Sequence, residues 1–218
     1  MTILFDIDKT VFDTPNFAKL TNNALADLID EPVAALLKVF DQYAQTITRT
    51  EFNPWDYLQA LANAFQVDRA KLEQVYFAPE HYRNSLYSET LPVLQSLHEH
   101  QLGAYTEAVI AWQEKKLELS GLKHFFVNNL IFISRDKKDS QLISQLPPSI
   151  VIDDHVEYLQ AMKQLRPNDL QPVWINRESE EKSPEFSTIH DLSELIEMVN
   201  GKMILSCPAT AGSGSKLN

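Results

Sequence analysis

The sequence is poor in cysteine and glycine, and both shortages exclude classes of protein. The single cysteine, Cys207, has no second cysteine to pair with, so nothing in the chain requires an oxidising compartment. The five glycines in 218 residues form neither a glycine-rich phosphate loop nor a dinucleotide-binding fingerprint. Nucleotide-binding proteins that depend on those two motifs are therefore excluded.

Positive charge and long apolar runs are also scarce. The 19 Lys and Arg residues are outnumbered by 30 Asp and Glu residues, which gives a net charge of −11. Because so acidic a chain repels phosphate backbones, we expect no nucleic-acid partner. No apolar run approaches the ~20 residues that cross a bilayer, and the N-terminus lacks the basic start of a signal peptide. We therefore expect no membrane association and a cytoplasmic location.

The apolar residues that are present change their spacing along the chain. A short apolar run at residues 3–5 predicts a buried strand of a parallel sheet. Between residues 16 and 83 the apolar residues recur at helical spacing, with helix breakers at Pro32, Pro54 and Pro79. This stretch is typical of an all-helical block of three or four helices.

After residue 87 helical and extended patterns alternate. The predicted strands are 102–105, 129–133, 149–152 and 172–175. The predicted helices are 90–100, 111–120, 139–146, 156–165 and 189–199. Strands that alternate with helices predict a parallel α/β sheet with right-handed crossovers.

These patterns predict three parts of the chain. Residues 1–15 and 86–205 should form a Rossmann-like α/β core. Residues 16–85 should form an all-helical cap inserted into that core. Residues 206–218 are small and polar, which is typical of a flexible tail.

Polar side chains follow each of the first four predicted strands. In open parallel sheets ligands bind outside the carboxyl ends of the strands, so these side chains should converge on one edge. In chain order they are Asp6, Asp8 and Thr10, then Thr106, then Lys137 and Lys138, then Asp153 and Asp154.

The composition of this set predicts a metal-assisted reaction on phosphate. Four clustered carboxylates repel one another unless a cation neutralises them, and hard oxygen ligands without His or Cys suit Mg²⁺. A carboxylate held beside a metal and a lysine can attack phosphorus and form an aspartyl-phosphate. A second carboxylate two residues further on can protonate the leaving oxygen and then activate water.

The same residues carry a resemblance to a known family. Residues 4–14 (LFDIDKTVFDT) resemble the first motif, D-x-D-x-T, of phosphatases of the haloacid dehalogenase (HAD) superfamily. Residues 102–106 (LGAYT), one of the two lysines, and residues 149–154 (SIVIDD) resemble the second, third and fourth motifs. Residues 113–122 (QEKKLELSGL) resemble the helix that follows the second motif in members with a cap. The resemblance covers about residues 2–200.

The resemblance implies roles for the four carboxylates. Asp6 would be the nucleophile and a metal ligand. Asp8 would be the general acid and base, and its backbone carbonyl would bind Mg²⁺. Asp154 would be the metal ligand of the fourth motif, with Asp153 beside it.

The resemblance also implies a phosphate-binding set. Its members would be Thr106, Thr10 in the first loop, and either Lys137 or Lys138. A helix capped by Asp139 fits Lys137, and one capped by Ser140 fits Lys138, with a slight preference for Lys137.

Two residues depart from the family pattern. Lys9 stands where the first motif usually has glycine, and a lysine is tolerable there if its φ is negative. Glu107 stands where the second motif is usually followed by Asn or Gly. An extra carboxylate 4 Å from a phosphate is unfavourable by on the order of 1 to 4 kcal/mol. We therefore expect Glu107 to point away from the site or to pair with Lys9.

The leading prediction is a Mg²⁺-dependent phosphohydrolase, a monomer or homodimer that acts on a small phosphorylated metabolite. A 2-haloacid dehalogenase is an alternative, although that reaction needs neither the metal nor Asp8. A phosphomutase would use the same residues. A non-catalytic binding or regulatory protein on this fold is a further alternative, which Lys9 and Glu107 motivate.

Overall fold

The apolar run that follows Met1 forms a central strand of the sheet. The computed structural model describes residues 1–201, and β1 spans Thr2–Phe5 with all four residues buried. β1 pairs in parallel with β2 (Gln101–Glu107) on one side and with β4 (Ser149–Asp153) on the other. An inner strand of a parallel sheet is covered on both faces, which explains why this run has no polar alternation.

Three further strands complete the sheet. They are β3 (Ile131–Ser134), β5 (Leu170–Ile175) and β6 (Ser187–Ile189). The strand order is β3-β2-β1-β4-β5-β6, and every pair is parallel. The sheet confirms the predicted Rossmann-like α/β architecture. The tail predicted at 206–218 lies outside the described residues.

The last strand was not predicted from the sequence. β6 has only three residues, Ser187–Ile189, and pairs with β5 alone at the edge of the sheet. It therefore needs no apolar run of the kind that marks the inner strands. The helix predicted over 189–199 begins at Ser193 instead, because Ile189 belongs to β6.

The helices lie between the strands in chain order. The α-helices are α1 (Thr14–Ile29), α2 (Val33–Ala44), α3 (Pro54–Phe65), α4 (Arg69–Tyr76), α5 (Pro79–Arg83), α6 (Thr90–Ser96), α7 (Ile110–Ser120), α8 (Ser140–Gln145), α9 (Val156–Leu165) and α10 (Ser193–Val199). Short 3₁₀ turns span Arg49–Glu51, Leu122–His124 and Asn128–Leu130. Within residues 1–201, none of the helices combines the length and the apolar character needed to cross a membrane.

Helices α1 to α5 form a helical insert between β1 and β2. The insert has five α-helices where three or four were expected. Asp68 caps α4 by accepting a hydrogen bond from the amide of Ala70, and Pro79 begins α5, so the last part of the insert is divided into two short helices. The exact division into a core (1–15 and 86–205) and a cap (16–85) stays a prediction.

Aromatic side chains join the helical insert to α7. The ring of Trp112 on α7 lies 6.0 Å from that of Phe17 on α1 and 5.9 Å from that of Tyr76 on α4, between ring centroids. Tyr82 on α5 packs against Phe17 with the rings tilted by 53° and a centroid distance of 4.7 Å. Aromatic contacts of this kind stabilise beyond their buried area, so the insert is fixed beside the carboxyl end of β2.

Candidate active site

The loop after β1 folds back into a tight turn. The amides of Val11 and Phe12 both donate to the carbonyl of Ile7, at 3.1 and 2.9 Å, and the amide of Lys9 donates to the carbonyl of Phe12 at 2.7 Å. Lys9 has a φ of 60°, in the left-handed region. The condition under which a lysine is tolerable at this position, a negative φ, is therefore not met, because this turn needs a residue with a positive φ.

Asp6, Lys137 and Asp153 form a buried charged triad at the carboxyl edge of the sheet. The Nζ of Lys137 donates to Oδ1 of Asp6 at 2.8 Å and to Oδ2 of Asp153. β1, the segment after β3, and β4 deliver these three residues to one point. Burial acts to lower the pKa of Lys137, but the carboxylates of Asp153 and Asp6 outweigh it and raise that pKa, so the lysine stays charged.

Asp6 lies in an environment that disfavours its charge. Burial is the largest cause and raises the pKa of Asp6 to about 7, and the carboxylates of Asp153, Asp154 and Asp8 act in the same direction. Lys137 opposes the shift without cancelling it. Burial likewise raises the pKa of Asp153, again against the pull of Lys137. Both raised pKa values therefore reflect burial first and the neighbouring carboxylates second.

Asp8 is held by a second, separate set of donors. The Nζ of Lys116 lies 2.7 Å from both carboxylate oxygens of Asp8, and the hydroxyl of Thr14 donates to Oδ1 at 2.5 Å. The amide nitrogen of Gln113 donates to Oδ2 at 3.2 Å. Burial acts to raise the pKa of Asp8, but the charge of Lys116 and these hydrogen bonds lower it below its ordinary value.

Asp154 completes the acidic group and pairs with a histidine. Oδ2 of Asp154 lies 3.1 Å from Nδ1 of His155. One potential ligand atom from each of Asp153, Asp154 and His155 lies within 4.8 Å of the others, a spacing that could hold a metal ion. The four carboxylates of the site are those of Asp6, Asp8, Asp153 and Asp154, and two ammonium groups, of Lys116 and Lys137, face them. The resulting surplus of two negative charges suits a divalent cation.

A cavity of about 720 Å³ opens over these groups. One side carries the charged residues of the strand ends, among them Asp6, Asp8, Lys137 and Asp154. The other side is formed by the helical insert. The volume lies within the range of small-molecule sites, so the arrangement can enclose a ligand above the acidic cluster.

Comparisons with known proteins identify the fold. Neither a protein-family model nor a curated protein matches the sequence. Among solved structures, the magnesium-bound putative HAD-hydrolase YfnB of Bacillus subtilis is 21% identical, with a TM-score of 0.60 over 91% of this chain and 98% of that one. The chain has the HAD fold.

Two further structures with the HAD fold are similar over most of their length. A putative haloacid dehalogenase-like hydrolase of Burkholderia xenovorans LB400 is 19% identical, with a TM-score of 0.67 over 90% of this chain and 97% of that one. The L-2-haloacid dehalogenase of Xanthobacter autotrophicus is 14% identical, with a TM-score of 0.60 over 93% of this chain and 99% of that one. At these identities the similarity defines the fold alone.

The HAD fold brings Lys137, not Lys138, to the acidic cluster. Lys137 is buried, whereas Lys138 is exposed, with its Nζ 5.7 Å from the ring centroid of Tyr158. Asp139 caps α8 by accepting from the amide of Gln141 at 2.8 Å, which is the capping pattern that fits Lys137. Of the two lysines between which the sequence could not decide, Lys137 therefore lies in the site and Lys138 does not.

The two threonines take different positions. Thr106 is buried beside the site, and its hydroxyl accepts from the side-chain amide of Gln113 at 2.8 Å, so one Gln113 nitrogen bridges Thr106 and Asp8. Thr10 is fully buried, and its carbonyl accepts from Arg177 at 2.8 Å. Neither threonine is among the residues that line the cavity described above, so this placement does not support the phosphate-binding role predicted for either side chain.

Glu107 and Lys9 do not pair with each other. The Oε1 of Glu107 accepts from the backbone amide of Lys137 at 3.1 Å, and its Oε2 accepts from the hydroxyl of Tyr158 at 2.6 Å. Lys9 lies 3.4 Å from Glu178 in an exposed ion pair. Glu107 lines the cavity wall, but these contacts tie it to the segment that carries Lys137, where it positions that segment.

Gln113 and Lys116 were not predicted as site residues from the sequence. Both are buried and lie three residues apart on α7, so they project from the same face of the helix toward Asp8. Their segment, 113–122, resembles the helix that follows the second motif, and that resemblance implies no role for either side chain. Two polar side chains at i and i+3 that precede a Gly-capped helix end were the available signal.

Proposed function

We propose that this protein is a phosphohydrolase that uses Asp6 as its nucleophile, with Mg²⁺ as its cofactor and a small phosphorylated metabolite as its substrate. The observation that carries the proposal is the contact of Lys137 with both Asp6 and Asp153 beside the cavity. That lysine can direct one Asp6 oxygen while it neutralises charge on a transferring phosphoryl group. A cytoplasmic enzyme that is a monomer or homodimer is part of the same proposal.

The acidic cluster fits Mg²⁺ by charge and by ligand type. The surplus of two negative charges suits a divalent cation, and the available ligands are oxygens. Asp6, Asp154 and the carbonyl of Asp8 would hold the ion. Bound there, the ion would neutralise charge on the phosphoryl oxygens. The magnesium-bound structure of YfnB, which shares the fold, supports this choice.

In the first half-reaction an Asp6 oxygen attacks phosphorus, and the bond from phosphorus to the ester oxygen breaks. The leaving oxygen takes its proton from the carboxyl group of Asp8. Lys137, which lines the cavity, donates to the phosphoryl oxygens. The products of this step are a phosphorylated Asp6 and a free alcohol.

In the second half-reaction a water molecule attacks the phosphoryl group on Asp6. Asp8, now a carboxylate, takes a proton from that water, and the bond from phosphorus to Asp6 breaks to release phosphate. The contacts of Asp8 with Lys116, Thr14 and Gln113 keep its carboxylate in a fixed orientation for this step.

The test is hydrolysis of an aryl phosphate in the presence of Mg²⁺. Asp6→Asn should lower turnover by at least about a thousandfold, with an unchanged circular dichroism spectrum. Asp41→Asn, an exposed carboxyl on α2, is the matched control and should turn over normally. Full activity in Asp6→Asn would exclude Asp6 as the nucleophile.

A 2-haloacid dehalogenase is the second candidate. Solved structures described as 2-haloacid dehalogenases, from Pseudomonas syringae and Xanthobacter autotrophicus, share the fold with TM-scores of 0.62 and 0.60. A halide leaves without a proton, so this reaction tolerates an Asp8 that Lys116 keeps ionised. Release of chloride from 2-chloropropionate that survives EDTA would favour this function over the phosphohydrolase.

A further inference from the structure

The cavity above Asp6 is far larger than a phosphate group. At about 720 Å³ it has room for a leaving group of the size of a small drug molecule in addition to the phosphoryl group. The side chains of its walls therefore carry information about the leaving group. They are divided sharply between the strand ends and the helical insert.

The wall contributed by the helical insert is apolar and largely aromatic. Its principal members are Phe17, Leu37, Phe40, Ile47, Phe52 and Tyr57. Phe40 and Tyr57 meet edge to face with a centroid distance of 5.5 Å, and Phe52 lies 6.5 Å from Trp112 on α7. These contacts fix the rings in place before any ligand binds.

All charged residues described as lining the cavity come from outside the insert. They are Asp6, Asp8, Lys9, Glu107, Lys116, Lys137, Asp153 and Asp154. The polar side chains that the insert adds are uncharged: Thr14, Thr21, Asn22, Thr48 and Thr50, with the two tyrosines Tyr57 and Tyr76. Three of the threonines are already engaged, and Thr14 donates to Asp8 at 2.5 Å. Thr21 donates to the carbonyl of Phe17 at 2.8 Å, and Thr48 hydrogen-bonds Glu51 at 2.9 Å.

Such a wall discriminates between classes of leaving group. A sugar or a second phosphate placed against it would lose more water contacts than the few polar groups of this wall, such as Asn22 and the Tyr57 hydroxyl, could replace, which is costly for each polar group left unpaired. An aromatic or aliphatic group would instead bury its surface against the rings. The charged side of the cavity keeps its affinity for the phosphoryl group in either case.

We propose that the substrate is a phosphate monoester whose leaving group is uncharged and apolar. This inference deepens the proposed phosphohydrolase and rests on it for the reaction. The apolar wall and the charged side of the cavity also determine how tightly analogues that are not hydrolysed bind. The apolar leaving group can therefore be tested without measuring turnover.

The experiment compares 2-naphthyl phosphate with glycerol 3-phosphate as substrates in the presence of Mg²⁺. We expect kcat/KM to be at least about a hundredfold higher for the naphthyl ester. In parallel, calorimetry compares naphthylmethylphosphonate with methylphosphonate, which are not hydrolysed. We expect the naphthyl compound to bind at least about tenfold more tightly.

Leu37→Gln tests the wall directly, since this side chain is partly exposed at 43% and its replacement is compatible with folding. It should lower kcat/KM for the naphthyl ester about fivefold to tenfold, and with it the ratio of that value to the kcat/KM for glycerol 3-phosphate. Leu28→Gln, on the same insert at 37% exposure and away from the cavity, is the control and should change neither substrate.

The outcomes separate the two proposals. If kcat/KM is equal for glycerol 3-phosphate and the naphthyl ester, the proposal of an apolar leaving group is wrong and the proposed phosphohydrolase stands. If neither ester is hydrolysed but the naphthyl phosphonate binds more tightly, the apolar subsite stands and the reaction is wrong. Equal binding of the two phosphonates overturns the apolar subsite whatever the turnover.

Discussion

The ammonium of Lys116 lies 2.7 Å from both carboxylate oxygens of Asp8, although the two residues are 108 positions apart in the sequence. The contact joins α7 to the loop after β1, and Lys116 is itself buried and lies 5.1 Å from the ring centroids of Phe12 and Trp112. A buried ammonium needs a carboxylate partner, so the pair ties the chemistry of Asp8 to the packing of α7.

Replacing Lys116 should move the pH profile of hydrolysis. Asp8 must be protonated to release the ester oxygen, and Lys116 holds the pKa of Asp8 below its usual range. In Lys116→Met that pKa rises, so the falling alkaline limb of kcat/KM should shift upward by about 1 to 2 pH units. The measurement is kcat/KM for an aryl phosphate between pH 4 and 9.

Lys115→Met is the matched control for Lys116→Met. Lys115 is adjacent on α7 but exposed, and it pairs with Glu118 at 3.5 Å on the surface. Its replacement should leave the pH dependence of kcat/KM unchanged. An alkaline limb that is unmoved in Lys116→Met would mean that Asp8 is not the proton donor.

The strand-end residues could be predicted because their positions depend on local pattern. An apolar run followed at once by carboxylates marks both β1 with Asp6 and β4 with Asp153, and the register of a parallel sheet brings such ends together. The donors to Asp8 could not be found in this way. Whether a lysine on a helix is buried depends on which element packs over it, and the sequence near Lys116 does not contain its partner.

Asp6→Asn should stabilise the metal-free protein, and more so as the pH rises. The pKa of Asp6 is raised to about 7 in the folded state, above the ordinary value of 3.8. Ionisation therefore favours the unfolded chain, and the wild type loses stability as the pH rises from near 4 through about 7. The asparagine removes this effect. The difference in unfolding free energy between Asp6→Asn and the wild type should therefore be on the order of 1–3 kcal/mol larger at pH 8 than at pH 4.5.

Urea unfolding with EDTA present measures this difference. Mg²⁺ should reverse it, because the ion stabilises the wild-type carboxylate and not the amide. Asp41→Asn should show the same stability difference from the wild type at both pH values. A gain for Asp6→Asn that does not depend on pH would contradict the raised pKa.

Lys137 and Lys138 should differ sharply when each is replaced by methionine. Lys137→Met leaves Asp6 and Asp153 buried without their shared cation, so we expect a loss of about 3–5 kcal/mol in unfolding free energy and a fall in kcat of more than about a hundredfold. Lys138→Met removes only an exposed side chain and should change kcat less than about threefold.

Unfolding measured with and without Mg²⁺ separates the two effects of Lys137→Met. If the variant is folded with Mg²⁺ present, the lost turnover belongs to the site and not to unfolded protein. A Lys138→Met protein as impaired as Lys137→Met would show that both lysines serve the phosphoryl group.

Lys9→Gly should stabilise the protein because of the backbone at that position. Lys9 has a φ of 60°, where an L side chain is strained and glycine is not. The glycine loses the exposed ion pair with Glu178, which contributes little. We expect a net gain of up to about 1 kcal/mol in unfolding free energy, measured by urea denaturation.

Lys9→Ala separates the two contributions, since it loses the same ion pair and keeps the strain, so it should show no gain. If alanine and glycine stabilise equally, the lysine side chain and not the left-handed turn is the source of the effect.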